Sequence, residues 1–120
     1  MATAITKRNV LAVEGEDEKN FFDKLMRDLS IVDIQIECVG GKNQFSTKLP
    51  ALLKVSGFFR PDGSSLVDHL AVVRDMDGDD AFVSIANILR TAKLSPPDIS
   101  GRFSNGSPRV GIFIMPGAEC

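Results

Sequence analysis

Two short stretches hold the residues best suited to chemistry. Val13-Glu14-Gly15-Glu16-Asp17-Glu18-Lys19 and Arg74-Asp75-Met76-Asp77-Gly78-Asp79-Asp80 each crowd several carboxylates into one turn. Such crowding costs repulsion unless a cation or a basic partner offsets it. Oxygen ligands at alternate positions suit a hard ion such as Mg²⁺ or Mn²⁺, and Asp75 and Asp77 turn the same way on an extended segment. With a helix starting near Gly15, Glu14 and Glu18 are four residues apart and share a face. The same residues also have plain structural uses. Glu16, Asp17 and Glu18 suit the positive end of a helix dipole, and Asp79 or Asp80 suits an N-cap. Two such clusters, each directly after an apolar run, favour the functional reading.

Other residues are weaker candidates. Gly40-Gly41-Lys42-Asn43 offers backbone N–H groups that can cradle a phosphate, with Lys42 as countercharge. It lacks the spacing of a P-loop, and a tight turn needing positive φ explains the glycines equally well. Arg74, next to Asp75, either pairs with the carboxylates or meets a substrate phosphate. His69 has no second histidine or cysteine beside it and reads as structural. Phe21, Phe22, Phe58, Phe59, Phe82 and Phe113 read as core, and Lys48, Lys54 and Arg60 as a solvated helix face. An EF-hand beginning at Asp75 is excluded, because Asp80 and Ala86 stand where glycine and glutamate are required. Asp-Met-Asp-Gly resembles the nucleophile motif of haloacid dehalogenase-like phosphatases. That motif follows a first strand and continues with Thr or Val, whereas here Asp79 follows.

Four apolar runs must position these residues: Asn9–Val13, Ile34–Val39, His69–Arg74 and Arg109–Met115. Their unbroken, β-branched character fits strands covered on both faces, and the alternation of Ile34-Gln35-Ile36-Glu37 marks a strand nearer an edge. Between them lie helical patterns at Asp17–Leu29, Gln44–Phe58 and Asp80–Leu94, with Pro50 expected in the first turn of the second. The resulting β-α-β-α-β-α-β order predicts an α/β fold: a small parallel sheet of about four strands with right-handed crossovers and helices on both faces. In such sheets ligands bind beyond the carboxyl ends of the strands, where both acidic clusters fall. At 120 residues the chain fits one domain, 1–120. Two cysteines, Cys38 and Cys120, suit reduced thiols and a cytoplasmic protein. No apolar run approaches the roughly 18–20 residues of a membrane span.

Strand-Glu14-Gly-x-x-Glu18, a Gly40-Gly41-Lys42 loop, then strand-Asp75-x-Asp77-x-Asp79 together resemble a Toprim domain, shared by topoisomerases, primases, small ribonucleases and OLD-family nucleases. The wider text, including Gly111-Ile112-Phe113-Ile114-Met115-Pro116-Gly117, is similar to uncharacterised prokaryotic Toprim-like proteins near the OLD group. The resemblance covers nearly the whole chain. It implies that Glu14 is a metal ligand or general acid/base. It implies that Asp75 and Asp77 hold Mg²⁺ with Asp79 assisting, and that Glu18 helps hold a second metal. Proteins of this kind continue past Met-Pro-Gly with another acidic segment and helix; this chain ends at Cys120, which predicts a short or truncated member.

The resemblance thus implies a Mg²⁺- or Mn²⁺-dependent phosphoryl-transfer domain acting on DNA or RNA, foremost a nuclease. The alternatives are a non-catalytic metal- or nucleotide-binding module within a larger assembly, and a phosphatase with Asp75 as nucleophile. Charge permits a nucleic-acid partner despite a net −2, for eight of the 16 acidic residues lie in the two clusters. The remaining eight face 14 basic residues, a background of +6. A sheet edge or apolar face left open near the C-terminus would favour a homo-oligomer.

Overall fold

The computed structural model describes residues 4–41, 43–75 and 81–115. The seven elements run β1 (Asn9–Val13), α1 (Glu16–Asp28), β2 (Ile34–Cys38), α2 (Phe45–Leu53), β3 (His69–Asp75), α3 (Ala81–Thr91) and β4 (Arg109–Met115). The strands form one all-parallel sheet in the order β2-β1-β3-β4, so the fold is α/β as the alternation predicts. β2, the strand with alternating polarity, is indeed an edge.

Connection order dictates where the helices lie. The chain steps outward from β1 to β2, then reverses, passing β1 to reach β3 and β4. Crossovers of one hand therefore place α1 on one face and α2 and α3 on the other. The two faces are covered unequally. On the α2/α3 face, Val10, Ala12, Leu70, Val72, Val110 and Ile112 pack with Phe45, Leu49, Leu52, Ile85 and Leu89 in the main core. On the α1 face a smaller core joins Leu11, Val13 and Ile36 to Phe22 and Met26 of the helix.

β3 records the difference residue by residue. Leu70, Val72 and Arg74 are buried, whereas His69, Ala71 and Val73, on the other face, are half-buried. The unbroken apolar run predicts cover on both faces; α1 lies over β1 and β2, and on its side β3 and β4 are covered only in part among the described residues, by Phe103 of the 95–108 loop against His69, Gly111 and Phe113. No α1 residue is fully buried although its apolar stripe is well formed.

α2 also departs from expectation. It spans nine residues, not fifteen, and Pro50 lies at its sixth position, inside the helix rather than in its first turn. The helix is started upstream by the Gly40-Gly41 loop, where Gln44 and Phe45 both donate backbone hydrogen bonds to the Gly41 carbonyl. Past Leu53, Lys54 and Val55 bond three residues back, so the chain tightens into turns. The 95–108 stretch is a loop, as its Gly, Pro and Ser content predicts, and it has a task. Gly101 and Ser104 donate from their backbones to Ile112 and Val110, which closes the outer edge of β4.

Candidate functional site at the carboxyl edge of the sheet

β1 and β3 are neighbours whose next helices, α1 and α3, lie on opposite faces of the sheet. This divergence opens a crevice beyond their carboxyl ends, the usual ligand position in open α/β sheets. Glu14 and Asp75 stand there. Glu14 follows the last residue of β1, and its Oε1 accepts the backbone N–H of Asp75 at 3.1 Å. Its Oε2 lies against the β2–α2 loop, so close that a Cβ on Gly41 would meet it at 2.7 Å. One carboxylate thus touches the ends of two strands and the Gly-Gly loop. Gly41 is needed for this approach; Gly40 is needed for its positive φ of 72°.

The chain belongs to the family DUF3226, proteins of unknown function, whose model matches residues 8–119. No curated protein and no solved structure matches it.

A cleft of about 240 Å³ opens beside Glu14, lined by Asp17, Glu18 and Asp75 together with Phe21, Phe22, Val73 and Met115. Three of the sequence candidates, Glu14, Glu18 and Asp75, therefore share one wall. Glu18 has a structural task as well: its Oε1 accepts the Gly15 N–H at 3.1 Å, half of a capping box at the start of α1. Glu18 thus caps α1 and lines the cleft at once. Asp17, part of the acidic cluster and suited also to the helix terminus, is a cleft residue. So is Phe21, expected in the core but 61% exposed, while Phe22 lines the cleft from its place against the smaller core. Their helical spacing suits a core stripe equally well, so only the gap left by α1 distinguishes the two.

Arg74 does not join this wall. Strand alternation turns it to the opposite face, where it is 4% exposed with its guanidinium over the Phe45 ring, 5.3 Å from the centroid. Among the described residues it forms no ion pair, so it neighbours the first residue of α2 rather than the cleft carboxylates. Lys42, Asp77, Asp79 and Asp80 lie outside the described residues. Among the described residues, no three Asp, Glu, His or Cys side chains stand close enough to share an ion.

The remaining candidates take quiet roles. His69 Nδ1 is 2.9 Å from Asn9 Oδ1, and its ring meets Phe103 edge to face at 5.3 Å. Lys48, Lys54 and Arg60 are exposed. Cys38 donates its thiol to Glu16 Oε2 at 3.5 Å; burial first, then this bond, push the thiol above its usual 9.0. It is therefore a poor nucleophile at neutral pH.

Proposed function

We propose that this chain is a Toprim-type domain that hydrolyses phosphodiester bonds of nucleic acid with the help of Mg²⁺ or Mn²⁺. The observation that carries the reading is Glu14, held at the switch point between β1 and β3 by the Asp75 N–H. The donor chemistry suits a hard cation: the polar groups that line the cleft are the carboxylates of Glu14, Asp17, Glu18 and Asp75. No three of them stand close enough to share an ion, so Asp77 and Asp79, two and four residues past Asp75, would have to complete the set. When bound, the ion would lower the pKa of an attacking water and offset charge on the phosphoryl oxygens.

The protein's own part is positioning and proton transfer. With Oε1 held by the Asp75 N–H, the Glu14 carboxylate is fixed at the cleft, where it would accept a proton from such a water. Glu18 and Asp75 supply the negative field that draws a cation to the cleft, while Phe21, Phe22, Val73 and Met115 line it with apolar surface. The basic background of the chain suits a polyphosphate partner. This reading places the protein in the cytoplasm; no described helix is long and apolar enough to cross a membrane.

The test is incubation of purified protein with labelled single- and double-stranded DNA and RNA, with Mg²⁺, Mn²⁺ or EDTA. Cleavage that requires metal, and that falls at least about 100-fold in Glu14→Gln and Asp75→Asn with unchanged circular dichroism, supports the proposal. Metal binding without cleavage of any polymer would favour the non-catalytic module. A phosphoryl group trapped on Asp75 would favour the phosphatase.

A further inference from the structure

We propose that Arg74 is a positioning residue for the carboxylate site, acting on Glu14 through the start of α2 from the other face of the sheet. Its surroundings are unusual for an arginine. It is 4% exposed, and among the described residues it forms no ion pair. Its guanidinium lies 5.3 Å from the ring centroid of Phe45, itself fully buried. Desolvating a guanidinium is costly, and an apolar side chain would fill the same space at less cost. A stacked cation is directional, however, and holds one ring at one place against the strand.

Phe45 is the first residue of α2, and its place decides that of the loop before it. Its backbone N–H donates to the Gly41 carbonyl at 2.9 Å, and Gln44 donates to the same oxygen at 3.0 Å. Gly41 lies so close to Glu14 Oε2 that a Cβ there would meet it at 2.7 Å. Glu14 Oε1 accepts the Asp75 N–H at 3.1 Å, and Asp75 follows Arg74 on β3. The contacts therefore close on themselves: Arg74, Phe45, Gly41, Glu14, Asp75 and back along the chain to Arg74. Strand geometry sets up this circuit. Arg74 points to the α2 face and grips Phe45, while the N–H of the next residue holds Glu14 at the strand's end. A second tie, from the Val39 N–H to the Val13 carbonyl at 2.8 Å, secures the end of β2 but leaves the loop beyond it to the start of α2. Without the guanidinium, α2 can shift on the core and carry the Gly41 backbone away from Glu14.

The effect on cleavage rests on the proposed function; the geometry does not, so the first readout needs no turnover. In metal-free protein, amide exchange at Asp75 followed by NMR reports its bond to Glu14, with Glu14→Ala marking complete loss. Arg74→Met keeps length and apolar bulk without the charge. It should quicken exchange at Asp75 at least about tenfold while Val72, in the middle of β3, changes less than about threefold. Phe45→Leu should do the same. Because both residues act through one contact, the double variant should be no worse than the stronger single one. Arg74→Lys, which keeps a cation but not the planar stack, should fall between parent and Arg74→Met. Asp75 exchange in Arg74→Met equal to the parent's overturns the proposal, as do effects of the two substitutions that simply add. Should Arg74→Met fail to fold, Phe45→Leu and Arg74→Lys decide, and a fully protected Asp75 in both overturns it. Where the parent cleaves nucleic acid, Arg74→Met should lower kcat at least about tenfold with KM changed less than about threefold, since Arg74 meets no substrate. A parent that cleaves nothing counts against the proposed function and leaves the exchange result standing.

Discussion

Glu14 shows how much one side chain can be asked to do. Its two oxygens contact the Asp75 backbone and Gly41, so its position depends on a neighbour with no side chain. Gly41 carries no positive φ, which means alanine can adopt its backbone; the added Cβ meets only the mobile end of Glu14. Gly41→Ala should therefore cost no more than about 1 kcal/mol of stability while displacing the carboxylate. Under the proposed function, metal-dependent cleavage should fall at least about tenfold with little change in Tm. An active Gly41→Ala enzyme would show that Glu14 need not sit there. Cys38 makes a complementary prediction. Its raised pKa means the fold favours the protonated thiol, a contribution present below pH 9.0 and lost as pH rises through the folded value. Mapped by mass spectrometry, alkylation of Cys38 at pH 8 should run slower in the folded protein than in urea.

Among the elements, α1 carries the most conflicting duties. It starts at Gly15 with Glu18 bonding back to the Gly15 N–H, covers β1 and β2, and supplies Asp17 and Glu18 to the cleft. Glu18→Ala removes both cap and charge, and should destabilise the protein by about 1 kcal/mol. Glu18→Gln can still accept the Gly15 N–H and should retain most of that stability while weakening cation binding. Chemical denaturation alongside metal titration separates the two roles. β3 is the other element whose surroundings matter, for it is central yet covered fully on one face and only half on the other. Leu70 is fully buried, so Leu70→Ala should cost about 2–5 kcal/mol. Ala71→Ser, on the open side, should cost much less in the same denaturation assay.

At the scale of the molecule, the features with most consequence are a switch point and unequal cover of the sheet. The switch point follows from strand order: reversal of the chain after β2 puts β1 beside β3 and sends the helices that follow them, α1 and α3, to opposite faces. The unequal cover follows from the same reversal, since one crossover lies on the α1 side and two on the other.

Much of this was legible in the chain itself. Apolar runs of strand length alternate with 3.6-residue stripes, so the α/β order and all seven elements follow from local pattern. So does the placing of Glu14 and Asp75 at the carboxyl ends of strands. Those periods are short-range properties, written within a dozen residues. Local pattern alone could not say that β1 neighbours β3, which brings Glu14 to the Asp75 N–H, or that Gly41 lies under Glu14 Oε2. It could not turn Arg74 away to Phe45, nor assign Glu18 to a cap. An apolar stripe on α1 and an apolar run in β3 look the same whether a partner element covers them or not. Sequence by itself determined which residues could do chemistry and on which elements they ride. Tertiary structure decided which of them meet and how far each face is covered, because neighbours and cover arise from packing between segments distant in the chain.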